Sequence, residues 1–261
     1  MKHDFDSGID SAAIARRCLP LLDLTSLNDT DDADSTAVLC AKAVTSVGNV
    51  AAVCLWPSFV SQAKQILAGT GVKVATVVNF PGGSFGAEKV AAQIAGALAD
   101  GADEIDVVMN YADVMMGDGR RAAEHLAACR AACGETTMKV ILESGSLAKP
   151  VFIERAAAIA VAAGADFLKT STGKVPAGAT PSAARIMLEA AKGADRRVGF
   201  KASGGIRDLE TAAEYLALAD QICGPSWVGP DTFRFGASGL LDAILGALGV
   251  APGPQVGSAG Y

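Results

Sequence analysis

The sequence predicts an α/β fold, a (β/α)8 TIM barrel with a short N-terminal helix and a flexible C-terminal tail. Three observations lead there. Short runs rich in valine, isoleucine and leucine alternate eight times with longer alanine-rich runs of helical spacing. The short runs are continuously apolar, as strands covered on both faces require. The chain has 261 residues, close to the ~250 that eight such units occupy in a barrel.

The elements follow in order. The segment before Leu19 reads as a short helix closing the barrel bottom. LPLLDL, from Leu19, is the first strand and STAVLCAKAVTS the first helix. NVAAVCLW and PSFVSQAKQILAG form the second unit, VKVATVVNF and GAEKVAAQIAGALADG the third. DEIDVVMN and RRAAEHLAACRAACG form the fourth, MKVILES and PVFIERAAAIAVAAG the fifth. DFLKTS and TPSAARIMLEAAKG form the sixth, RRVGFKAS and DLETAAEYLALA the seventh, FRFGAS and LLDAILGALG the eighth. Several helices stop at glycine (ADG, ACG, AAG, AKG), the expected termination signal. No linker interrupts the pattern. It reads as one domain over 1–261, with the barrel at about 19–249 and a Gly/Pro-rich mobile tail over 250–261. The alternative, a doubly wound sheet, would want a glycine-rich fingerprint after its first strand. LDLTSLND contains no glycine.

Composition narrows the function classes. With 51% hydrophobic and 19% charged residues the chain is globular rather than disordered. A net charge of −6 argues against nucleic-acid binding. The polar start MKHDFDSGID is no secretory signal, and no charge-free apolar run reaches the ~18 residues of a membrane span. The expected setting is cytoplasmic, with Cys18, Cys40, Cys54, Cys129, Cys133 and Cys223 as reduced thiols. Cys54 reads as buried. Cys129 and Cys133 lack a CxxC spacing, and the chain has two histidines, so no metal site is expected. The alanine-rich helix faces are compatible with a homodimer, which the sequence does not decide.

In such a barrel, chemistry belongs at the C-terminal ends of the strands. The polar residues falling there are Asp23, Thr25, Asn79, Asp106, Glu143, Lys169, Lys201 and Ser238. Lys169 and Lys201 end neighbouring strands. Each raises the other's cost of ionising, so one can be a neutral amine near pH 7, as a Schiff-base nucleophile must be. Asp106 can offset the charge and shuttle protons. The alternative is a plain ion-pair network of the same three residues. Glu143 fits a direct role or a supporting one equally. Asp103 reads as capping its loop. SGGIRD after the seventh strand and FGASGLL after the eighth stand where barrels of this kind commonly hold phosphate, with glycine N–H groups and a helix start. Lys174 in STGK is a further anion contact or a solvated loop lysine. PGGSFG after the third strand reads as a turn.

The motifs DLTSLN, NFPGG, GADEIDVV, DFLKTSTGK, ATPSAARIM, VGFKASGGIR and FRFGASG occur in this order from about Leu19 to Gly249. Together they resemble the 2-deoxyribose-5-phosphate aldolases. The resemblance implies a metal-free, cofactor-free class I aldolase. It would cleave 2-deoxy-D-ribose 5-phosphate reversibly to D-glyceraldehyde 3-phosphate and acetaldehyde, in deoxyribonucleotide breakdown. It implies Lys169 as the Schiff-base lysine, Lys201 as its tuning and relay partner, Asp106 as the acid/base and Tyr261 as a proton-transfer group. It places substrate contacts at Asp23, Thr25, Asn28, Thr170, Gly173, Lys174, Gly204, Gly205, Arg207, Gly236, Ser238 and Gly239. Ala202-Ser203 and Met109-Asn110 depart from the Pro-Ala and Phe-Pro of some relatives, which bears on substrate contacts rather than chemistry. Rival readings are a sugar-phosphate isomerase, a transaldolase-like transferase, or a non-catalytic phosphosugar-binding protein. The last has no need of Lys169 and Asp106 together.

Overall fold

The computed structural model describes residues 10–250. Tyr261, the tail from residue 251 expected to be mobile, and the polar residues before 10 lie outside the described residues. Eight parallel strands close into a barrel: β1 (Leu22–Thr25), β2 (Ala52–Leu55), β3 (Lys73–Val78), β4 (Glu104–Val108), β5 (Thr137–Ile141), β6 (Phe167–Lys169), β7 (Gly199–Ser203) and β8 (Phe233–Ala237). Around the ring they run β1, β8, β7, β6, β5, β4, β3, β2. Every residue of β1, β2, β4, β6, β7 and β8 is buried. That is why these strands read as unbroken apolar runs. The charged residues that interrupt the runs are therefore forced into the interior.

An outer layer covers the barrel: α1 (Ser11–Cys18), α2 (Ala33–Lys42), α3 (Val60–Ile66), α4 (Ala87–Ala99), α5 (Tyr111–Met115), α6 (Gly119–Cys133), α7 (Ser144–Leu147), α8 (Pro150–Ala162), α9 (Pro181–Lys192), α10 (Leu209–Cys223) and α11 (Leu240–Ala247). Their starts are chemically marked. Asp32 and Ser35 form a reciprocal capping box at α2, Thr180 caps α9 ahead of Pro181, and Asp208 caps α10 through the Thr211 amide. The core between strands and helices is built from small apolar faces such as Ala156, Ala157 and Ala160 of α8 and Ala184, Met187 and Leu188 of α9.

Three local features differ from the sequence reading. Leu19–Leu21 is a 3-10 turn rather than strand, because Pro20 has no N–H to give to a ladder. Val44–Thr45 pairs with Gly48–Asn49 in a small hairpin after α2. The short helices α5 and α7 stand between strand and main helix in the fourth and fifth units. Helix α1 packs against α10 and α11 and is tied to α10 by the Arg17–Asp220 ion pair. Among the described residues, no helix is long and apolar enough to cross a membrane.

Candidate active site

Strand register decides which charges meet. Lys169 on β6 pairs with Lys201 on β7, and Lys201 in turn with Arg234 on β8. Asp106 on β4 pairs with Lys139 on β5. These side chains converge inside the barrel beneath its C-terminal mouth. Lys169 Nζ donates to Asp106 Oδ2 at 2.8 Å, and Lys201 Nζ donates to the same oxygen at 2.8 Å. Lys139 Nζ donates to Asp106 Oδ1 at 2.8 Å. Lys201 also reaches Asp23 Oδ2 at 2.5 Å. Arg234 binds Asp23 Oδ1 at 2.5 Å and Glu104 Oε1 at 2.9 Å, while Lys139 lies 2.5 Å from Glu104. Lys139, Lys201, Asp23 and Asp106 are wholly buried, and Lys169 is 2% exposed.

The charge count of this cluster is informative. Asp23, Glu104 and Asp106 face Lys139, Lys169, Lys201 and Arg234, three carboxylates against four cations. Buried charge without a counter-charge is expensive, so one cation is surplus. Lys169 is the least compensated, since its one carboxylate oxygen is shared with Lys201. Its pKa is accordingly lowered: burial is the main cause, Asp106 opposes it, and the Lys201 charge adds to it. Lys201 moves the other way. Burial disfavours its ammonium, but Asp106 and Asp23 outweigh burial and raise its pKa. Lys139 is likewise raised, because Asp106, Glu104 and Asp23 outweigh its burial. Asp106 is desolvated, yet Lys139, Lys169 and Lys201 hold it well below the usual carboxylate range. The mutual destabilisation expected of the two lysines is thus one-sided: the Lys169 ammonium is disfavoured and the Lys201 ammonium favoured.

The other expected site residues fall into three groups. Asp23, expected to position sugar hydroxyls or to order the site, is buried with its two oxygens engaged by Lys201 and Arg234. Thr25 Oγ1 donates to the Asp23 carbonyl. The Asn28 side chain donates to Ser26 and Asp31, and its carbonyl accepts from Trp56 Nε1, so it builds the turn after β1. Thr170 Oγ1 accepts from the Ser203 amide at 2.9 Å, lacing β6 to β7. Gly173, Lys174, Gly204, Gly205, Arg207, Gly236, Ser238 and Gly239 lie on the loops after β6, β7 and β8, or at the top of β8, on one side of the mouth. Arg207 and Ser238 are exposed there, and Gly239 is the residue before α11. Lys174 Nζ lies 3.5 Å from Asp29 and 5.8 Å from the centre of the Trp56 ring, across the mouth. Cys54 is buried, which pushes its thiol pKa up.

Sequence reasoning missed Lys139, Glu104 and Arg234. It also missed Ser171 and Ser203, buried hydroxyls with no hydrogen-bond partner among the described residues. Each follows a mouth lysine by two residues, in KTS and KAS. That repeat was a readable signal, because positions two apart along a strand share a face. Gly236 makes room for this arrangement: a Cβ there would lie 2.6 Å from Ser203 Oγ and 2.9 Å from Lys201 Cε. Among the described residues, no group of three His, Cys, Asp or Glu side chains is placed to hold a metal ion.

Comparison with known proteins agrees with this geometry. A family model described as DeoC/LacD family aldolase matches residues 18–243. A solved structure from Coccidioides immitis, provisionally assigned as a deoxyribose-phosphate aldolase, superposes with a TM-score of 0.81 at 29% identity, over 90% of this chain and 87% of its own. A provisionally assigned deoxyribose-phosphate aldolase from Toxoplasma gondii ME49 gives 0.84 at 27% identity, over 93% of this chain and 97% of its own. An aldolase called QR15 gives 0.76 at 30% identity, over 88% and 96%. With a matched family model spanning nearly the whole barrel and a mouth built around buried lysines, this chain belongs to the DeoC/LacD family of aldolases.

Proposed function

We propose that the protein is a class I aldolase that reversibly cleaves 2-deoxy-D-ribose 5-phosphate to D-glyceraldehyde 3-phosphate and acetaldehyde through a Schiff base on Lys169. The observation that carries the reading is the surplus cation: Lys169 shares a single carboxylate oxygen inside a cluster already balanced by three other cations. A neutral Lys169 Nζ attacks the aldehyde carbon of the open-chain sugar. Lys201, kept charged by Asp106 and Asp23, supplies the proton with which the carbinolamine hydroxyl leaves as water. The ionised Asp106, bridging Lys169 and Lys201, takes up the proton released from the Lys169 nitrogen. The iminium then accepts the electron pair of the C2–C3 bond as the C3 hydroxyl gives its proton to the now neutral Lys201. Glyceraldehyde 3-phosphate departs, the regenerated Lys201 ammonium protonates the enamine at C2, and water hydrolyses the iminium to acetaldehyde by the reverse of the first proton transfers. No metal or cofactor enters these steps.

Substrate binding divides by strand. The glycine-rich loops after β7 and β8, with Lys174, Arg207 and Ser238, form the phosphate side, where backbone N–H groups and cations suit a dianion. Phosphate binding far from C1 supplies energy that positions the carbonyl against Lys169. Ser171 and Ser203, unpartnered beside the lysines, suit the sugar hydroxyls. The reading carries a catabolic, cytoplasmic role with it. Tyr261 is retained as a proton-transfer candidate.

Three tests follow. The retro-aldol assay should release acetaldehyde and glyceraldehyde 3-phosphate in equal amounts from the phosphorylated sugar; isomerised sugar without acetaldehyde would contradict the assignment. The pH profile of kcat/KM should rise along a limb set by Lys169 at a pH below the ordinary lysine value of about 10.4; a limb at the ordinary value would count against the surplus-charge argument. Gly236→Ala should push Lys201 aside and lower kcat by about a hundred-fold, as a displacement near 1 Å at a reacting group does, with an unchanged circular-dichroism spectrum.

A further inference from the structure

Glu143, just beyond β5, is not used in the mechanism above, although it is wholly buried. Its backbone is left-handed, with φ 54° and ψ 58°, a conformation few non-glycine residues adopt. The strand pairing does not loosen there: the Leu142 amide donates to the Lys169 carbonyl at 2.9 Å and the Ser144 amide to the Thr170 carbonyl at 2.8 Å. The unusual backbone therefore turns the carboxylate onto the loop after β6. Thr172 Oγ1 donates to Glu143 Oε2 at 2.5 Å, and the Thr172 amide lies 3.4 Å from both carboxylate oxygens. The same hydroxyl accepts from the Lys174 amide at 3.1 Å. Two hydrogen bonds thus connect Glu143 to the backbone of Lys174. Farther along, this loop is clamped on both sides. A Cβ on Gly145 would overlap the Ala177 carbonyl, and the Ala179 amide donates to the Ser203 carbonyl at 3.0 Å and the Gly204 carbonyl at 3.2 Å.

We propose that Glu143 is a positioning residue: acting through Thr172, it sets the 172–174 turn that presents Lys174 and the Gly173 region to the substrate phosphate, and so favours phosphorylated over free sugar. This rests on the proposed deoxyribose-phosphate aldolase function. Burial keeps the Glu143 pKa raised against the Thr172 hydrogen bonds and the Lys169 charge, a direction that fits a positioning carboxyl and a proton donor alike. If it were instead a proton donor to the reacting centre, its loss would fall on the chemical step whatever the sugar.

The test compares wild type, Glu143→Gln, Thr172→Val and Thr172→Ser on 2-deoxyribose 5-phosphate and on 2-deoxyribose, with the Kd for inorganic phosphate measured by calorimetry. Thr172→Val should raise both the KM for the phosphorylated sugar and the phosphate Kd by about ten-fold, the effect of one hydrogen bond to a charged group. Its kcat, and its constants for the free sugar, should change by less than about two-fold, because the hydrogen bonds removed run to Glu143 and the Lys174 amide. Thr172→Ser keeps the hydroxyl and should behave as wild type, and Glu143→Gln should fall between. An equal loss of kcat on both sugars in Glu143→Gln, with a shifted pH profile, would overturn the proposal in favour of a catalytic carboxyl. So would an unchanged phosphate Kd in Thr172→Val. A wild type that cleaves neither sugar would overturn the aldolase reading and this selectivity with it, a result distinct from either of those.

Discussion

Lys169→Met abolishes turnover while leaving the barrel folded. The expected loss in kcat is about four orders of magnitude or more, the scale on which removal of a covalent nucleophile acts. Methionine has a similar length and no charge, and it removes the cation that the three carboxylates do not need. Asp23, Glu104 and Asp106 would then face Lys139, Lys201 and Arg234 one for one. Thermal stability should therefore hold or rise, because the surplus buried charge is gone. Steady-state kinetics and a melting curve on the same preparation check both halves. A large drop in Tm would mean that Lys169 is a needed counter-ion and not a surplus one.

Asp106→Asn has the opposite character and should damage stability as well as catalysis. Asp106 is the shared acceptor of Lys139, Lys169 and Lys201. Without its charge, two carboxylates face four buried cations. Breaking a buried network by removing one partner costs about 3–5 kcal/mol, or a fall in Tm of about 6–20 °C for a domain of this size. The sign of the pH dependence follows. In the variant, the under-compensated lysines have folded-state pKa values below their unfolded ones, so the unfolded chain binds more protons. Stability should then increase as pH rises from neutral toward about 10, as those lysines shed their protons in the folded state while the unfolded chain still holds them. Thermal melts between those limits would show a rising Tm; a flat profile would mean the lysines are compensated elsewhere.

Much of this was legible in the sequence. The eight units were legible because barrel strands are covered on both faces and lose the alternation that would mark a surface sheet. Lys169 and Lys201 stand out because each ends an apolar run and is followed by a small hydroxyl-bearing segment. Asp106 stands out as a charge inside the apolar run of EIDVV. Lys139 in MKVIL and Arg234 in FRFGAS carried the same signal as Asp106, a charge inside an apolar strand; what the sequence does not show is the register that sets them against Asp106, Asp23 and Glu104. The difference between Lys169 and Lys201 was not legible. It depends on Asp23, from β1, reaching Lys201 and not Lys169, and on Arg234 taking the other oxygen of Asp23. Those are consequences of register around a closed ring. The left-handed backbone at Glu143 had no sequence marker, because glycine is the residue that usually advertises it.

The central claim is that Lys169 forms the imine. Its most direct test is to incubate the protein with 2-deoxyribose 5-phosphate and borohydride and to locate the modified peptide by mass spectrometry. The account expects a reduced adduct on Lys169, within DFLKTSTGK, absent from Lys169→Met and absent without the sugar. A reduced adduct on Lys201 or Lys139 instead, or none in a protein that still binds the sugar phosphate, would contradict it.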